Sequence, residues 1–391
     1  MSQIDQVYLD YAATTPVDER VMQAMLPYFS QNFGNPSSIH TFGQRAEAAL
    51  EEARHEIAQA INARPEEVIF TSCGTESDNL ALRGAARAVR EIKGASHILT
   101  SPVEHHAVSR TIHQLCEQEG FTFDYLPVDI HGMVHPEEVE AAIRPDTGLV
   151  SIIYANNEIG TVNPIREIGE ICRRRGVTFH TDAVQAAAHL PMDVVRDGVD
   201  LLAIGAHKFY GPKGVGALFI RHGIHLNSTQ TGGSQENGLR AGTQNIPLII
   251  GMARALQLAQ SEQAERSARL AELRDQIFEQ VTSDIPDSRI TGHPSQRLPN
   301  HASFAFEGVD GNRLLMMLDL AGFACSSGSA CKVGTPAISE VLTAIGIAPN
   351  WGLGSLRVTL GRDTTQEQVN AFLAVLPKKV IEARKVGRQN G

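Results

Sequence analysis

The sequence predicts an α/β protein with a mainly parallel sheet, and three observations carry that prediction. Apolar, β-branched runs at 149–154, 177–182 and 201–204 have strand length and are separated by segments of helical periodicity. Strands joined through helices lie parallel in one sheet. Each run also ends in polar groups: Asn156 and Asn157, then Asp182, then His207 with Lys208. Ligands of such sheets sit beyond the carboxyl ends of the strands, so these groups are expected to converge on one pocket.

The other elements follow in order. A short apolar segment, 8–16, ends in small polar residues, and a helix is predicted over 18–28. Residues 33–38 form a turn-rich loop before a long helix over 42–61. A strand opens at Val68, a Gly74-Thr75 turn follows, and a helix runs over 80–92. Strands at 97–100 and 121–126 flank a helix over 108–119, and a short helix is expected over 137–143. A helix over 165–175 separates two of the three polar-ended strands, and a second apolar strand, 215–220, follows Lys208. The glycine-rich polar stretch 231–245 is too long for a hairpin turn and reads as a functional loop. Residues 252–285 hold no Gly or Pro and read as one long helix leading to a second domain. That remainder mixes strands and helices at 302–306, 311–320, 338–346, 355–360 and 366–375.

Composition narrows the function classes. The chain has 391 residues, enough for two domains, with 42% hydrophobic and 20% charged residues, as in soluble globular proteins. A net charge of −10 argues against nucleic acid or an anionic membrane as the main partner. No apolar run reaches membrane-spanning length, and the first residues lack the regions of a signal peptide, so a cytoplasmic location is expected. Five cysteines, with no CxxC pair and no HExxH, predict neither a disulfide framework nor a metal site.

Several residues have the chemistry of a site. Lys208 follows a buried strand that breaks at Gly205, and burial there would lower its pKa and free the amine as a nucleophile for a carbonyl. Taken alone it reads more simply as a loop lysine; the convergence of strand ends favours the nucleophile. Gly74 and Thr75 open a helix whose N-terminus suits a phosphate, although a plain cap fits nearly as well, and neither a Walker loop nor GxGxxG is present. His105 follows a strand end, where an imidazole can stack on an aromatic cofactor or simply cap a helix. Asn35 is either a turn residue or a ligand contact. Arg357 sits in a short strand, where it either grips a substrate carboxylate or pairs with a buried acid. The stretch 325–331 carries Cys325 and Cys331 among serine, glycine and alanine.

Six of these stretches, in order, resemble the cysteine desulfurases of the NifS/IscS group, in the class V aminotransferase superfamily. They are Phe33-Gly-Asn-Pro36, Thr75-Glu-Ser-Asp-Asn79, Asn156-Asn-Glu-Ile-Gly160, His207-Lys208, Arg240-Ala-Gly-Thr243 and Ser326-Ser-Gly-Ser-Ala-Cys331. The resemblance runs from Leu9 to Arg362. It implies fold type I of the pyridoxal-phosphate enzymes. A large domain, 15–256, would carry a mainly parallel seven-stranded sheet flanked by helices. A smaller α+β domain, 1–14 with 257–391, would carry the catalytic cysteine loop.

The resemblance also implies roles. Lys208 would hold pyridoxal 5′-phosphate as an internal aldimine, Asp182 would pair with the pyridine nitrogen, and His105 would stack on the ring. Gln185 and Asn157 match positions near the phenolic oxygen. Gly74, Thr75 and His207 match the phosphate site, which Thr243 would complete from the neighbouring subunit of a homodimer. Arg357 and Asn35 match the holders of the substrate carboxylate. Cys331 matches the nucleophile that takes sulfur from L-cysteine, leaving alanine and a persulfide for an iron–sulfur scaffold or another sulfur acceptor. A selenocysteine lyase, another class V enzyme or a partner-binding paralogue are the competing readings. Departures from the group are Gly205 for a serine, Cys73 for a glycine, Asn237 for an arginine, the continuation from Lys332, and an end at Gly391 without the longer tail.

Overall fold

The computed structural model describes residues 6–328, 331–332, 335–336 and 338–387. Its centre is a seven-stranded sheet. Numbering strands along the chain, β1 is Val7–Tyr8 and lies outside this sheet. The sheet itself is built from β2 (Val68–Thr71), β3 (His97–Thr100), β4 (Thr122–Tyr125), β5 (Thr147–Ser151), β6 (Thr178–Asp182), β7 (Leu201–Gly205) and β8 (Gly216–Ile220). The order is β2-β8-β7-β6-β5-β3-β4. β8 runs antiparallel to both neighbours, and the remaining pairs are parallel. Six of the seven are buried along their whole length, as expected for a sheet with helices on both faces.

Helices Thr41–Ala60, Ile165–Arg175 and Ile246–Ser261 cover one face around Phe179, Phe209 and Phe219. Helices Gly74–Lys93 and His106–Glu119 cover the other around Leu82, Ile112 and Leu218. A second core gathers Leu9 with Leu270, Phe304, Phe306, Val358 and Phe372. It is built on β9 (Ser288–Ile290), β10 (His301–Phe306) and β14 (Ser355–Thr359), an antiparallel trio with β10 central. β1 pairs in parallel with β11 (Phe323–Ala324), while β12 (Cys331–Lys332) and β13 (Thr335–Pro336) form a small antiparallel pair.

The helix expected over 18–28 is two short ones, Glu19–Met25 and Pro27–Ser30, and three further expected elements differ. The helix placed at 80–92 begins at Gly74, because the Gly-Thr pair is its first turn rather than a preceding bend. The single helix expected over 252–285 is two, Ile246–Ser261 and Gln263–Asp284. Pro247 is accommodated in the first turn, where its missing N–H costs nothing, so the first helix starts early. At the break, the Arg266 guanidinium donates to the Ala259 carbonyl at 2.8 Å and takes over an acceptor that the ladder would otherwise use. The last helix, expected to stop at 375, runs from Gln366 to Gly387 through Pro377, held by Leu376, Val380 and Ala383 in the second core.

The glycine-rich loop is anchored by a buried ion pair. Arg54 holds both Glu236 oxygens, at 2.8 and 3.0 Å, and the Phe70 N–H donates to the same carboxylate at 2.9 Å. Asn237, the departure noted above, has φ of 57°, a left-handed conformation that asparagine tolerates better than most side chains. Breaking a buried pair from one side leaves an uncompensated charge. Glu236→Ala is therefore expected to lower the unfolding free energy by about 3–5 kcal/mol, read from urea denaturation. A loss below about 1 kcal/mol would show that the pair contributes little net stability.

Candidate active site

The carboxyl ends of β2, β3, β5, β6 and β7 open on one rim, and a cavity of about 230 Å³ lies there. Gly74, Thr75, His105, Asn157, Asp182, Gln185, His207 and Lys208 all line it. Each arrives for a local reason. Asp182 is the last residue of β6, and its Oδ1 accepts the Val184 N–H at 2.9 Å. Lys208 closes a one-turn helix, Ala206–Lys208, that follows β7 directly. His105 caps a helix, its Nδ1 accepting the Ala107 N–H at 3.1 Å, and it also lines the cavity.

The helix Gly74–Lys93 starts at the cavity wall. Its N-cap, Cys73, makes no side-chain cap, so the first-turn N–H groups and the positive end of the dipole remain available to an anion. Close approach is enforced by glycine. A Cβ on Gly74 would sit 2.5 Å from Val184 Cγ2, and one on Gly205 would sit 3.3 Å from the Gly74 nitrogen. Gly205 thus leaves the helix end uncovered.

Charge in the cavity is strongly perturbed. Burial pulls the Lys208 ammonium down to about 8, helped by Arg357 and opposed by Asp182 and Asp10. Burial lowers His207 to about 4 and lowers His105 as well, while Asp182 is raised by burial against the pull of His105 and Lys208. The amine is held by two carbonyls: Lys208 Nζ donates to Ala12 O at 2.6 Å and to Ala13 O at 2.8 Å.

Those carbonyls belong to residues 10–15, a strap formed by the small polar end of the first apolar segment. Gln185 Nε2 also donates to Ala12 O, at 2.8 Å, and His207 Nδ1 lies 3.2 Å from Thr14 Oγ1. On its other side the strap meets the second core. The Ala12 N–H donates to Thr359 Oγ1 at 2.9 Å, and Arg357 donates to Asp10 Oδ1 at 2.8 Å. Arg357 therefore does pair with an acid, and its other terminal nitrogen donates to the Asn157 carbonyl at 3.1 Å. The run Asp10-Tyr-Ala-Ala-Thr-Thr15, small and polar before a proline, was the signal for this role.

A second cavity of about 310 Å³ adjoins the first and shares His105 and Asn157 with it. Arg357, Glu158, Gly328 and Ser339 also line it. Glu158, raised by burial to about 7, accepts from the Ser339 hydroxyl, and a Cβ on Gly328 would sit 2.6 Å from its Oε2. The stem of the cysteine-bearing segment is tied down here. The Ser326 N–H donates to Arg357 O at 3.2 Å, and the Arg357 N–H donates to Ser326 O at 2.7 Å. Cys331 lies on β12, and its side chain falls outside the described residues, as do those of Lys332 and its immediate continuation. Cys325 is less reactive, since burial pushes its thiol far above the ordinary range.

Asn35 and Thr243 are not brought to the Lys208 cavity within one chain. They share a separate surface cleft with Tyr28, Asn32 and Phe33, and the Asn35 amide oxygen accepts the Ser37 N–H at 3.0 Å, as a turn residue does. Asp78 and Glu158 line the two cavities and Asp10 pairs with Arg357, three acids that no local sequence signal marks.

A desolvated amine, a buried carboxylate, an imidazole wall and an uncapped helix N-terminus on one rim define a pocket for a phosphorylated, aldehyde-bearing heterocycle. The donor set fits that group: the helix end suits the phosphate, Asp182 the ring nitrogen and Lys208 the aldehyde. The chain belongs to the class-V aminotransferase family, whose model matches residues 7–372. It is 50% identical over 381 residues to cysteine desulfurase IscS of Dictyoglomus turgidum, covering 97% of this chain and 96% of that one. It is 48% identical over 380 residues to the IscS of Methanosarcina thermophila, covering 97% and 93%. A solved NifS-like protein superposes with a TM-score of 0.89 at 36% identity, over 95% of this chain and 98% of that one. The cofactor is pyridoxal phosphate.

The depressed lysine yields a pH prediction. Only the free amine adds to an aldehyde, and for a lysine whose pKa falls, that form appears earlier as pH rises. The rate of pyridoxal phosphate binding to cofactor-free protein is expected to climb through about pH 8 rather than the ordinary 10.5. A rate still rising steeply above pH 10 would contradict the reading of Lys208, pH 10 being about where an unperturbed lysine titrates.

Proposed function

We infer that this protein is a pyridoxal-phosphate-dependent L-cysteine desulfurase. The observation that carries it is the joining of two cavities, one holding Lys208 and Asp182, the other holding Arg357 and the stem of the Cys331 segment. When bound, the cofactor supplies an electron sink for the substrate carbon. The residues of this chain do the rest.

Asp182 presents a carboxylate to the ring nitrogen, His105 covers the ring, and Gly74, Thr75 and His207 receive the phosphate. Gln185 and Asn157 flank the phenolic oxygen. Arg357 orients the substrate carboxylate, and Lys208, as a free amine, can carry a proton to and from the reacting carbon. The Cys331 thiolate attacks the substrate sulfur. A sulfur–sulfur bond forms, the carbon–sulfur bond breaks, and the carbon takes up a proton. Cysteine and the Cys331 thiol thus become alanine and a Cys331 persulfide, with the carbon reduced and the sulfur oxidised. The persulfide passes to an iron–sulfur scaffold or another acceptor.

We place the enzyme in the cytoplasm as a homodimer in which Thr243 and Asn35 complete the neighbouring site. Exposed Met22, Leu26, Phe29, Phe33 and Phe42, grouped in sequence around the Asn35 cleft, support that reading. Among the described residues no helix is long and apolar enough to cross a membrane. The division into a large domain, 15–256, and a smaller one, 1–14 with 257–391, is supported by Leu9 sharing a core with Leu270 and Phe372.

Incubation with L-cysteine and a reductant is expected to release alanine and sulfide in equal amounts. Cys331→Ala should keep the visible absorbance of the bound cofactor and form no persulfide, read by mass spectrometry of the intact chain. Wild-type sulfide release by that variant would sink the proposed role of Cys331. Lys208→Ala should lose the absorbance itself.

A further inference from the structure

One buried pair under the cofactor pocket has no part in the chemistry above. Asp78 sits in the second turn of the helix Gly74–Lys93, is fully buried, and lines the Lys208 cavity. Neither of its carboxylate oxygens has a hydrogen-bond partner within normal range. His180 Nε2 lies 3.5 Å from Oδ1 and is also fully buried and without a hydrogen-bond partner. His180 precedes Asp182 by two residues on β6, so both project from one face of the sheet, while Phe179 enters the core opposite. The other ring nitrogen, His180 Nδ1, lies 2.9 Å from Ser151 Oγ on β5. Asp78, His105 and Asp182 each place a polar atom within 4.8 Å of the others.

Two arrangements can satisfy these atoms. In the first, an aspartate anion faces an imidazolium. That puts two charges in a dry site and sets a second anion beside Asp182, and the desolvation of each ion costs several kcal/mol. In the second, Asp78 carries the proton and donates it to Nε2, while Nδ1–H donates to Ser151. Burial and the acidic groups around Asp78 favour the second. Asp182 and His180 face it from β6, Glu104 and His105 from the turn after β3, and Cys73 from the helix start; Asp182, Glu104 and Cys73 all push its carboxyl upward, and burial dominates. Burial alone brings His180 down to about 3. Glu104 is itself raised to about 8 by burial.

We propose that Asp78 and His180 form a neutral hydrogen-bonded pair, with the proton on Asp78, that acts as a positioning unit beneath Asp182. It leaves Asp182 as the only ionised carboxylate facing the ring nitrogen. The consequence is functional. A second anion at Asp78 would compete with the ring for the proton that Asp182 must hold in place, and an apolar residue there would let the Asp182 side of the pocket relax. This rests on Asp182 being the ring-nitrogen partner, and the test separates the two claims.

Infrared difference spectra, wild type minus Asp78→Asn, are to be recorded at neutral pH on cofactor-free protein. A protonated-carboxyl band that shifts in heavy water is expected; loss of an ionised carboxylate band alone overturns the proposal. The second measurement follows the pH midpoint of the visible absorbance after loading with pyridoxal phosphate. Asp78→Asn keeps a neutral donor and should retain the wild-type midpoint. Asp78→Leu lacks the donor and should move it by about one unit or more, equal to about 1.4 kcal/mol. An unchanged midpoint in Asp78→Leu, or a shifted one in Asp78→Asn, overturns the positioning role. Should Asp78→Leu not fold, the infrared band decides. Asp182→Asn serves as control: an unchanged midpoint there removes the cofactor reading, while the infrared band still reports on Asp78.

Discussion

Residues 10–15 are gripped from both sides, and the site depends on that grip. From the large sheet, Lys208 and Gln185 donate to the Ala12 carbonyl. From the second core, Thr359 accepts the Ala12 N–H, and Arg357 is paired with Asp10. Both the lysine proposed to hold the cofactor and the arginine proposed to receive the substrate are therefore referenced to one short piece of backbone. Backbone carbonyls are good partners for an amine that must become neutral, since they accept a hydrogen bond without the full charge that would hold the proton. A carboxylate in the same place would raise the Lys208 pKa and weaken it as a nucleophile.

The same economy of charge runs through the pocket. Buried Asp78, Glu104 and Asp182 cannot all ionise in a dry space, so their environments drive them apart in role. Glu104 accepts from Ser101 and from the Ile153 N–H, and thereby fixes the turn after β3 that carries His105. Asp182 sees His105 and Lys208, two groups that favour its anion. The substrate side is built differently. Arg357, proposed to receive the substrate carboxylate, already holds an acid and a carbonyl, so its guanidinium is oriented in advance.

Glu158 links that orientation to the cysteine-bearing segment. It touches Ser339, which caps the helix Glu340–Ala344, and leaves no room for a side chain at Gly328. Both flanks of the Cys331 segment thus meet one side chain next to Asn157. The segment is bound at its stems, through Ser326 on one side and Ser339 on the other.

Much of this was legible in the chain itself. Apolar runs ending in Asn157, Asp182 and Lys208 identify parallel strands and their functional ends, because strand period and strand–helix alternation are local properties. The helix over Gly74 was legible but misplaced by two turns, since glycine in a first turn reads like a bend until close packing on Val184 is seen. The break at Glu262 and the passage through Pro377 were not legible, because each depends on a distant partner, a guanidinium from Arg266 or a core around Phe372. The Asp10–Arg357 pair and the Asp78–His180 pair lie further out of reach: 347 residues separate the first pair, and nothing local marks either. Sequence alone therefore determined which strand ends share a rim and which polar residues stand on it. Only the tertiary structure decided their protonation and their partners, because desolvation and pairing are set by what packs across the pocket rather than by what is adjacent in the chain.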